Sequence, residues 1–412
     1  MRRRLFLAST VLSAADWPGF RGPGRAGVSA EGGLLQQWPS GGPKLLWRRA
    51  DIFDGYGTVA VAGDRLFLVS NEGMEDEFAQ CLDAATGARR WRTRLGAVGN
   101  PNQQPPYPMA RSTPSVEDGR VYVFSSDGDL VALRAATGEV MWRRNVRKEF
   151  GGVPGTWGYA ESPLIDGDRL IVTPGGEAAT LLAVNKHTGE PLWRAAVPGG
   201  DRAAYASAIV TEAAGRRQYV QFLDKGVVGV DAATGAFLWR YAGTAGGPAN
   251  IASPVAKGNY VYSTNARRFN GGLVQLTAAA GGVQAEQVYL IREMPNSLGG
   301  QVLIGDTLYG TNPQGPVAAD FLTGRIHWAE DKSGPGAVVA AGGRLYFHFE
   351  SGEVALAEPT PAVYRERGRF TPPDRPRRRD ARERSWAYPV VANGRLYLRD
   401  LGCLWAYDVR TV

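Results

Sequence analysis

The sequence is poor in the residues that build metal and redox centres. It has three histidines and two cysteines, Cys81 and Cys403, which lie far apart in the chain. No adjacent cysteine pair is present, no His or Cys spacing matches a zinc site, and no Gly-x-Ser-x-Gly elbow of a serine hydrolase occurs. An exported protein permits a disulfide between the two cysteines, but we expect two buried thiols and no metal site.

Long apolar runs and lysines are scarce as well. After the N-terminus, no segment is long and apolar enough to span a membrane. The net charge of +7 comes largely from arginine, and much of the excess lies in residues 374–384. We interpret that stretch as a solvated, mobile loop. An anionic partner such as lipid headgroups or an acidic protein stays open, whereas export argues against nucleic acid.

The N-terminus predicts export. Residues 1–15 combine a basic head, Arg2 to Arg4, with a short apolar stretch and small residues before Asp16. This pattern is typical of a signal peptide that is removed on secretion. The run from Arg3 to Leu7 also resembles the twin-arginine signal, and an ordinary secretion signal is the alternative. We expect residues 16–43 to form an N-terminal extension and residues 44–412 to form the folded domain.

The abundant feature is a repeated phrase, Asp-x-x-Thr-Gly-x-x-x-Trp or a close variant. Its clearest copies end at Trp91, Trp142, Trp193, Trp239 and Trp328. Recurrence at about 40 to 50 residues is typical of a repeat architecture. An opening Asp and a closing Gly favour a hairpin turn, because the carboxylate bonds the local backbone and Gly accepts positive φ. We expect these tryptophans, with Trp47, to wedge between neighbouring sheets as structural residues.

A second phrase, Gly-x-x-Tyr or a relative, lies between those turns and joins two runs of alternating apolar residues. Such alternation with a central turn predicts a strand pair. The phrase begins at Gly63, Gly119, Gly167, Gly215, Gly258, Gly305, Gly343 and Gly394. Eight units with four short antiparallel strands each predict an all-β, eight-bladed β-propeller. Two blades, six and seven by our numbering, lack the consensus turn, and we place their outer strands at Gln287–Tyr289 and Ala362–Tyr364.

The last blade lacks a strand at the C-terminal end of the chain. Residues 44–48, around Trp47, form an unpaired strand pattern before the first blade. We therefore expect this N-terminal strand to pair with Leu404–Tyr407 and to close the ring.

The repeated phrase resembles the tryptophan-docking motif of PQQ-type propellers, the quinoprotein alcohol dehydrogenase-like fold, over roughly Trp47 to Val409. The opening Asp16 to Pro23 resembles that of exported PQQ-like repeat proteins. The resemblance implies a ring that serves either as an enzyme or as a scaffold. Among such rings, the assembly factor BamB is similar in size and blade count. Lipoproteins of that kind carry a cysteine at the cleavage site, and this sequence has none near Ala15.

A PQQ enzyme would need cationic donors for the three carboxylates of the cofactor, a Ca²⁺ ion held by carboxylate and amide oxygens, and an Asp base. Members with that activity also carry a vicinal cysteine pair, which is missing here, and insertions that roof the site. We therefore expect no cofactor, with PQQ and Ca²⁺ as the alternative.

Residues just before each innermost strand should surround the mouth of the axial channel. These candidate ligand-binding residues are Arg111, Tyr159, Glu161, Tyr205, Asn250, Asn296 and Trp386. They are able to grip a small ligand, or they bond one another and water. We assign no catalytic residue.

The sequence thus favours an exported, non-catalytic binding or scaffolding module, periplasmic or secreted, with envelope proteins or a small ligand as partners. A PQQ/Ca-dependent dehydrogenase that oxidises alcohols or sugars is the alternative.

Overall fold

The structure, a computed structural model, describes residues 16–247, 249–268, 270–280 and 282–411. The predicted signal peptide, residues 1–15, lies outside the described residues. In the described part, the strands form eight four-stranded antiparallel sheets, each running from an inner to an outer strand. The predicted eight-bladed propeller is confirmed.

The first four blades follow one another along the chain, and their strands are given from the channel outward. Blade one contains Ala60–Ala62, Arg65–Glu72, Asp76–Asp83 and Arg89–Ala97. Blade two contains Ser115–Glu117, Arg120–Phe124, Asp129–Arg134 and Val140–Asn145. Blade three contains Leu164–Asp166, Arg169–Val172, Leu181–Asn185 and Pro191–Ala195. Blade four contains Ile209–Ala213, Arg216–Leu223, Gly226–Asp231 and Phe237–Tyr241.

The remaining blades continue the ring, and the last takes its outer strand from the start of the chain. Blade five contains Val255–Lys257, Tyr260–Asn265, Asn270–Ala279 and Gly282–Arg292. Blade six contains Gln301–Ile304, Thr307–Thr311, Pro316–Asp320 and Ile326–Ala329. Blade seven contains Gly336–Ala341, Arg344–Phe349, Val354–Ala357 and Glu366–Phe370. Blade eight contains Val390–Ala392, Arg395–Asp400, Cys403–Asp408 and Lys44–Arg49.

Helix is confined to two short segments of the described chain, Pro23–Arg25 and Val146–Phe150. Neither they nor any other helix of the described residues is long and apolar enough to cross a membrane.

The predicted ring closure is confirmed by backbone pairing. Lys44–Arg49 runs antiparallel to Cys403–Asp408, with Trp47 opposite Ala406. Arg399 in the same blade reinforces the junction, because its guanidinium is fully buried and donates to Gly57 O and Val69 O at 2.7 and 2.8 Å. Both acceptors belong to the stretch of chain that enters and forms blade one. The first and last blades are therefore joined by main-chain and side-chain bonds.

One predicted outer strand was misplaced, and another was assigned to the wrong blade. The blades without the consensus turn are five and seven, since blade six keeps the Asp320–Gly324 turn and Trp328. Gln287–Tyr289 belongs to the long outer strand Gly282–Arg292 of blade five. Ala362–Tyr364 precedes the outer strand of blade seven, Glu366–Phe370. Without the turn phrase, apolar alternation alone left these positions ambiguous.

Neighbouring blades meet through the turn glycine of one and the tryptophan of the blade before it. A Cβ built on Gly138 in blade two would lie 2.6 Å from Trp91 Cε3 in blade one, so the glycine backbone rests on the indole. The Trp91 Nε1–H donates to Ala135 O in the same turn at 3.0 Å. Trp47 and Trp142 make the same two contacts with the following blades.

The other tryptophans depart from this pattern in ways that follow the turns. Trp193 packs on Gly235, but its Nε1 has no hydrogen-bond partner among the described residues. Trp239 faces blade five, which has no consensus turn, and donates to Gln218 in its own blade at 2.5 Å. Blade five itself uses a phenol, because Tyr289 Oη donates to Phe321 O at 2.8 Å. Trp328 donates to Thr360 O in the next blade.

The extension, residues 16–43, crosses the channel and contacts inner strands on several sides. Trp17 pairs with Val61 of blade one through two backbone hydrogen bonds of 2.7 and 3.0 Å. Ser29 N donates to Ala340 O of blade seven at 2.8 Å. Between them, Arg25 donates to Ser162 O and Ala208 O of the intervening blades. Further on, Leu35 N bonds Val409 O and Trp38 N bonds Arg367 O. The extension is thus packed into the ring.

The arginine-rich stretch 374–384 differs from its interpretation as a mobile loop. Arg375 and Arg378 both form ion pairs with Asp400, whose side chain is 2% exposed, at 3.2 and 2.7 Å. Arg379 pairs with Asp54 and with the buried Glu383 at 2.6 and 2.9 Å. Several charges of this stretch therefore fasten it to blades one and eight.

Replacing Gly138 with Ala should test the contact between blades. Gly138 has φ +74°, and a new Cβ would collide with Trp91. The matched control is Gly119→Ala, because Gly119 has φ +72° and nothing within 4 Å of its Cβ position. We expect the control to lose about 1 kcal/mol of unfolding free energy from backbone strain and Gly138→Ala about 2 kcal/mol more from overpacking. Equal losses in urea unfolding would show that the contact contributes no stability.

Candidate functional site

An axial cavity of about 900 Å³ opens where the inner strands begin. Its wall comes from the loops that precede those strands in several blades and from Phe20 of the extension. The aromatic side chains are Phe20, Tyr56, Tyr107, Trp157, Tyr205, Trp386 and Tyr388. Two arginines, Arg111 and Arg267, one carboxylate, Glu350, and the Asn296 amide are the charged and amide groups of the wall. This axial cavity is the candidate site.

The aromatic rings of the axial cavity form tilted pairs. The centroids of Tyr56 and Trp386 are 4.8 Å apart, and Tyr107 meets Trp386 edge-on at 5.7 Å. On another side, the ring centroids of Trp157 and Tyr205 are 5.5 Å apart, and the backbone N–H of Trp157 donates to Tyr205 Oη at 3.0 Å. Such pairs hold each other rigid and present apolar ring faces together with polar edges.

Arg111 is the cation that lies deepest in this wall. It donates to the Trp157 carbonyl and to Gln103 Oε1, the latter at 3.2 Å, and both acceptors are uncharged. Burial lowers the pKa of Arg111, and the nearby Tyr205, Tyr56 and Glu77 oppose this shift. No carboxylate of the described residues lies within ion-pairing distance of it. Its charge is therefore incompletely compensated.

Glu350 is the carboxylate of the axial cavity. Burial raises its pKa above the ordinary value. Its backbone N–H donates to Pro335 O at 2.8 Å, which fixes the residue at the end of a blade-seven strand. In the described part of the chain, no group of three His, Cys, Asp or Glu side chains is arranged to hold a metal ion.

Four of the seven predicted site residues line the axial cavity, and three do not. Arg111, Tyr205, Asn296 and Trp386 contribute to its wall. Asn296 is 1% exposed, and neither its amide oxygen nor its amide nitrogen has a partner among the described residues.

Tyr159, Glu161 and Asn250 lie inside the blades. Tyr159 donates to Pro174 O at 2.8 Å, and Glu161 accepts from Gln221 at 2.7 Å. Asn250 donates to Leu223 O at 2.7 Å and accepts from Asn265. The cavity wall is formed instead by their neighbours Ala160, Ala249 and Ile251. Extended chain alternates sides, so a shift of one residue turns a side chain from the channel into the blade.

A series of hydrogen bonds from backbone N–H groups to hydroxyls, here called the hydroxyl relay, accompanies this alternation and was not predicted from the sequence. In each bond, the backbone N–H of one blade donates to the hydroxyl of the residue at the same position in the next blade. The four bonds are Thr58 N to Thr113 Oγ1, Thr113 N to Ser162 Oγ, Ser162 N to Ser207 Oγ and Ser207 N to Ser253 Oγ, at 2.9 to 3.2 Å. Residues two positions before the Thr and Ser residues of the relay line the cavity, including Tyr56, Arg111 and Tyr205. The recurring Thr-Pro and Ser-Pro pairs at 113, 162 and 253 were the available signal.

The remaining missed residues come from long connections without a repeat. Trp157 and Arg267 lie in loops before or within blades, and Phe20 lies in the extension. Glu350 follows a strand. None of these positions is marked by a phrase that recurs between blades.

Buried carboxylates link blades beside the axial cavity. Glu77 of blade one is 1% exposed, and its Oε2 accepts from the backbone N–H and the hydroxyl of Ser126 in blade two, both at 2.7 Å. Its Oε1 has no partner among the described residues. Burial raises the pKa of Glu77 to about 7, and burial likewise raises that of Glu161 to about 7.

Glu77→Gln should change the pH dependence of stability. An unfolded carboxyl ionises near 4.5, so the folded chain holds extra protons between that value and about 7. Stability therefore falls as pH rises through this window and is flat above it. Glutamine keeps the acceptor for Ser126 and removes the ionisation. We expect the variant to match the wild type at pH 5 and to exceed it by on the order of 2 kcal/mol at pH 8.

Urea unfolding at both pH values measures this effect, with the exposed Glu286→Gln as control. The Glu77 variant should keep part of the decline in stability with pH, because Glu161 still ionises in the same range. An identical decline in the variant and the wild type would contradict the assignment of Glu77.

By comparison with known proteins, the chain is a PQQ-type repeat propeller. The chain belongs to the family described as outer membrane protein assembly factor BamB, whose model matches residues 75–330. BamB of Burkholderia pseudomallei is 27% identical over 172 residues, which cover 34% of this chain and 42% of that protein. The alignment thus spans less than half of this curated relative.

Solved structures share the fold. BamB from Moraxella catarrhalis superposes with a TM-score of 0.59 at 16% identity, over 88% of this chain and 97% of that one. Quinohemoprotein alcohol dehydrogenase from Comamonas testosteroni gives a TM-score of 0.63 at 13% identity, over 96% and 80%. At these identities the likeness concerns the fold alone.

The axial cavity does not fit a calcium–PQQ pair. Arg111 and Arg267 would suit two carboxylates of the cofactor. Calcium, however, takes six to eight oxygen ligands, several of them carboxylate. Glu350 is the one carboxylate among the described residues of the wall, and Asn296 is the one amide. The donor set therefore lacks the ligands for the ion.

Proposed function

We propose that this chain is an exported, non-catalytic binding module of the cell envelope that holds protein or small-ligand partners. The observation that carries the proposal is the match of residues 75–330 to a family of assembly factors, which covers most of blades one to six. The relatives are named as factors of outer membrane protein assembly, and on that basis envelope proteins are the partners we propose.

The chemistry of the axial cavity supports binding without turnover. It offers ring faces, two cations and unpaired polar groups, which suit recognition of a ligand. It offers neither a calcium donor set nor a vicinal cysteine pair, since Cys81 and Cys403 are buried apart as free thiols. The alternative, a PQQ/Ca-dependent dehydrogenase of alcohols or sugars, is favoured by the shared fold and by Arg111.

Location is part of the proposal. Residues 1–15 have the composition of a signal peptide, with or without the twin-arginine pathway, and residues 16–43 pack into the ring. We propose a periplasmic or secreted protein whose mature chain begins near Asp16.

A dehydrogenase assay separates the two functions. Purified protein is incubated with PQQ and Ca²⁺, and dye reduction is followed with a panel of alcohols and sugars. We expect no turnover above background, because the cavity lacks the ion's ligands. Turnover that falls at least about tenfold in Glu350→Gln, but not in Glu286→Gln, would overturn the binding-module proposal.

Cross-linking in the producing cells is the matching positive test. The tagged chain should give discrete adducts with envelope proteins, identified by mass spectrometry, that an unrelated exported propeller of the same charge does not give. Identical adducts with both chains would count against a specific protein partner.

A further inference from the structure

The axial cavity holds polar groups that the fold leaves unused. Asn296 is only 1% exposed, and neither the oxygen nor the nitrogen of its side-chain amide has a hydrogen-bond partner in the described chain. The hydroxyl of Tyr56, in a residue that is 8% exposed, is also unpartnered there. A buried polar group without a partner costs about 1–3 kcal/mol, so native proteins rarely keep one without a reason. A ligand that both donates and accepts hydrogen bonds would satisfy these groups.

The charge of the cavity wall favours an acidic ligand. Arg111 and Arg267 both line it, and neither has a carboxylate within ion-pairing distance in the part of the chain that the structure describes. Glu350 is the single acid of that wall. Guanidinium groups bind carboxylates through paired hydrogen bonds, and their attraction is stronger where water is excluded.

The rings of the cavity offer apolar faces beside these polar groups. Trp386 is stacked at an angle with Tyr56, and Trp157 with Tyr205, with centroid distances of 4.8 and 5.5 Å. Each pair is held by its neighbour, so a ligand that packs on it orders few additional side chains. The C–H faces of a sugar ring match such surfaces, while its hydroxyls match the Asn296 amide.

We propose that the axial cavity binds a short acidic saccharide, with its carboxylate at Arg111, its hydroxyls at Asn296 and Tyr56, and its ring faces on Trp386 and Trp157. The inference rests on the proposed function, binding without turnover. A volume of about 900 Å³ accommodates a few sugar units. A planar aromatic carboxylate is disfavoured, because it presents acceptors only and would leave the Asn296 carbonyl oxygen unpaired.

Titration calorimetry with trigalacturonic acid and with neutral cellotriose tests the proposal. We expect the acidic trisaccharide to bind at least about tenfold more tightly at low salt, and Arg111→Met to remove most of that difference. Asn296→Ala should weaken the binding of both sugars. We expect this variant to fold, because the Asn296 side chain makes no hydrogen bond in the described chain. The exposed Arg94→Met is the matched control and should bind like the wild type.

The fold of each variant is checked by circular dichroism and thermal melting. Arg111 also bonds Trp157, so Asn296→Asp provides a second variant. This substitution keeps the size of the side chain and adds a negative charge. It should weaken the binding of the acidic sugar more than that of the neutral one. Equal binding of both sugars, an unchanged affinity in Arg111→Met, or no binding of either sugar would overturn the proposal. None of these results restores quinone-dependent turnover, so failure here leaves the binding-module proposal standing.

Discussion

The pairing of Lys44–Arg49 with Cys403–Asp408 joins the two ends of the chain, and the geometry of every other blade depends on this junction. An open ring would expose the faces of its first and last sheets and leave Cys403–Asp408 as an unpaired edge. Arg399 supplies the second link, since its buried guanidinium donates to carbonyls of the chain entering blade one. Loss of that side chain would leave those buried acceptors without its donors, at a cost of about 1–3 kcal/mol each. Closure therefore sets the circle on which the axial cavity is centred.

Around that circle, one local contact is repeated with variations. The turn glycine of one blade lies on the indole of the blade before it, and where a turn is missing the indole bonds elsewhere, as Trp239 does. Inside the circle, the hydroxyl relay from Thr58 to Ser253 links the starts of neighbouring inner strands. The extension then crosses the channel and places Phe20 against Tyr388, with ring centroids 5.3 Å apart. Together these contacts surround an axial cavity whose described wall carries seven aromatic side chains, two arginines and one carboxylate.

Much of the fold was predictable because turns and alternation are local properties. The five copies of the Thr-Gly-x-x-x-Trp phrase placed the outer strands of five blades, and the strand around Trp47 was placed by counting. Blades five and seven lack the phrase, so the first was misnumbered and the outer strand of the second was placed a few residues too early. The candidate site was half predictable: Arg111, Tyr205, Asn296 and Trp386 follow the offset from the inner strands, whereas Tyr159, Glu161 and Asn250 are one residue out of phase. Arg267 and Glu350 reach the axial cavity through tertiary packing, which no local pattern records.

Hydrogen–deuterium exchange measures directly whether the N-terminal strand closes the ring. Peptides covering 44–49 and 403–408 should be protected together, to the level of the middle strands of the other blades, because both strands open only with the ring. Rapid exchange of 44–49 while 403–408 and the other middle strands stay protected would show that the ends are not joined and would contradict the account.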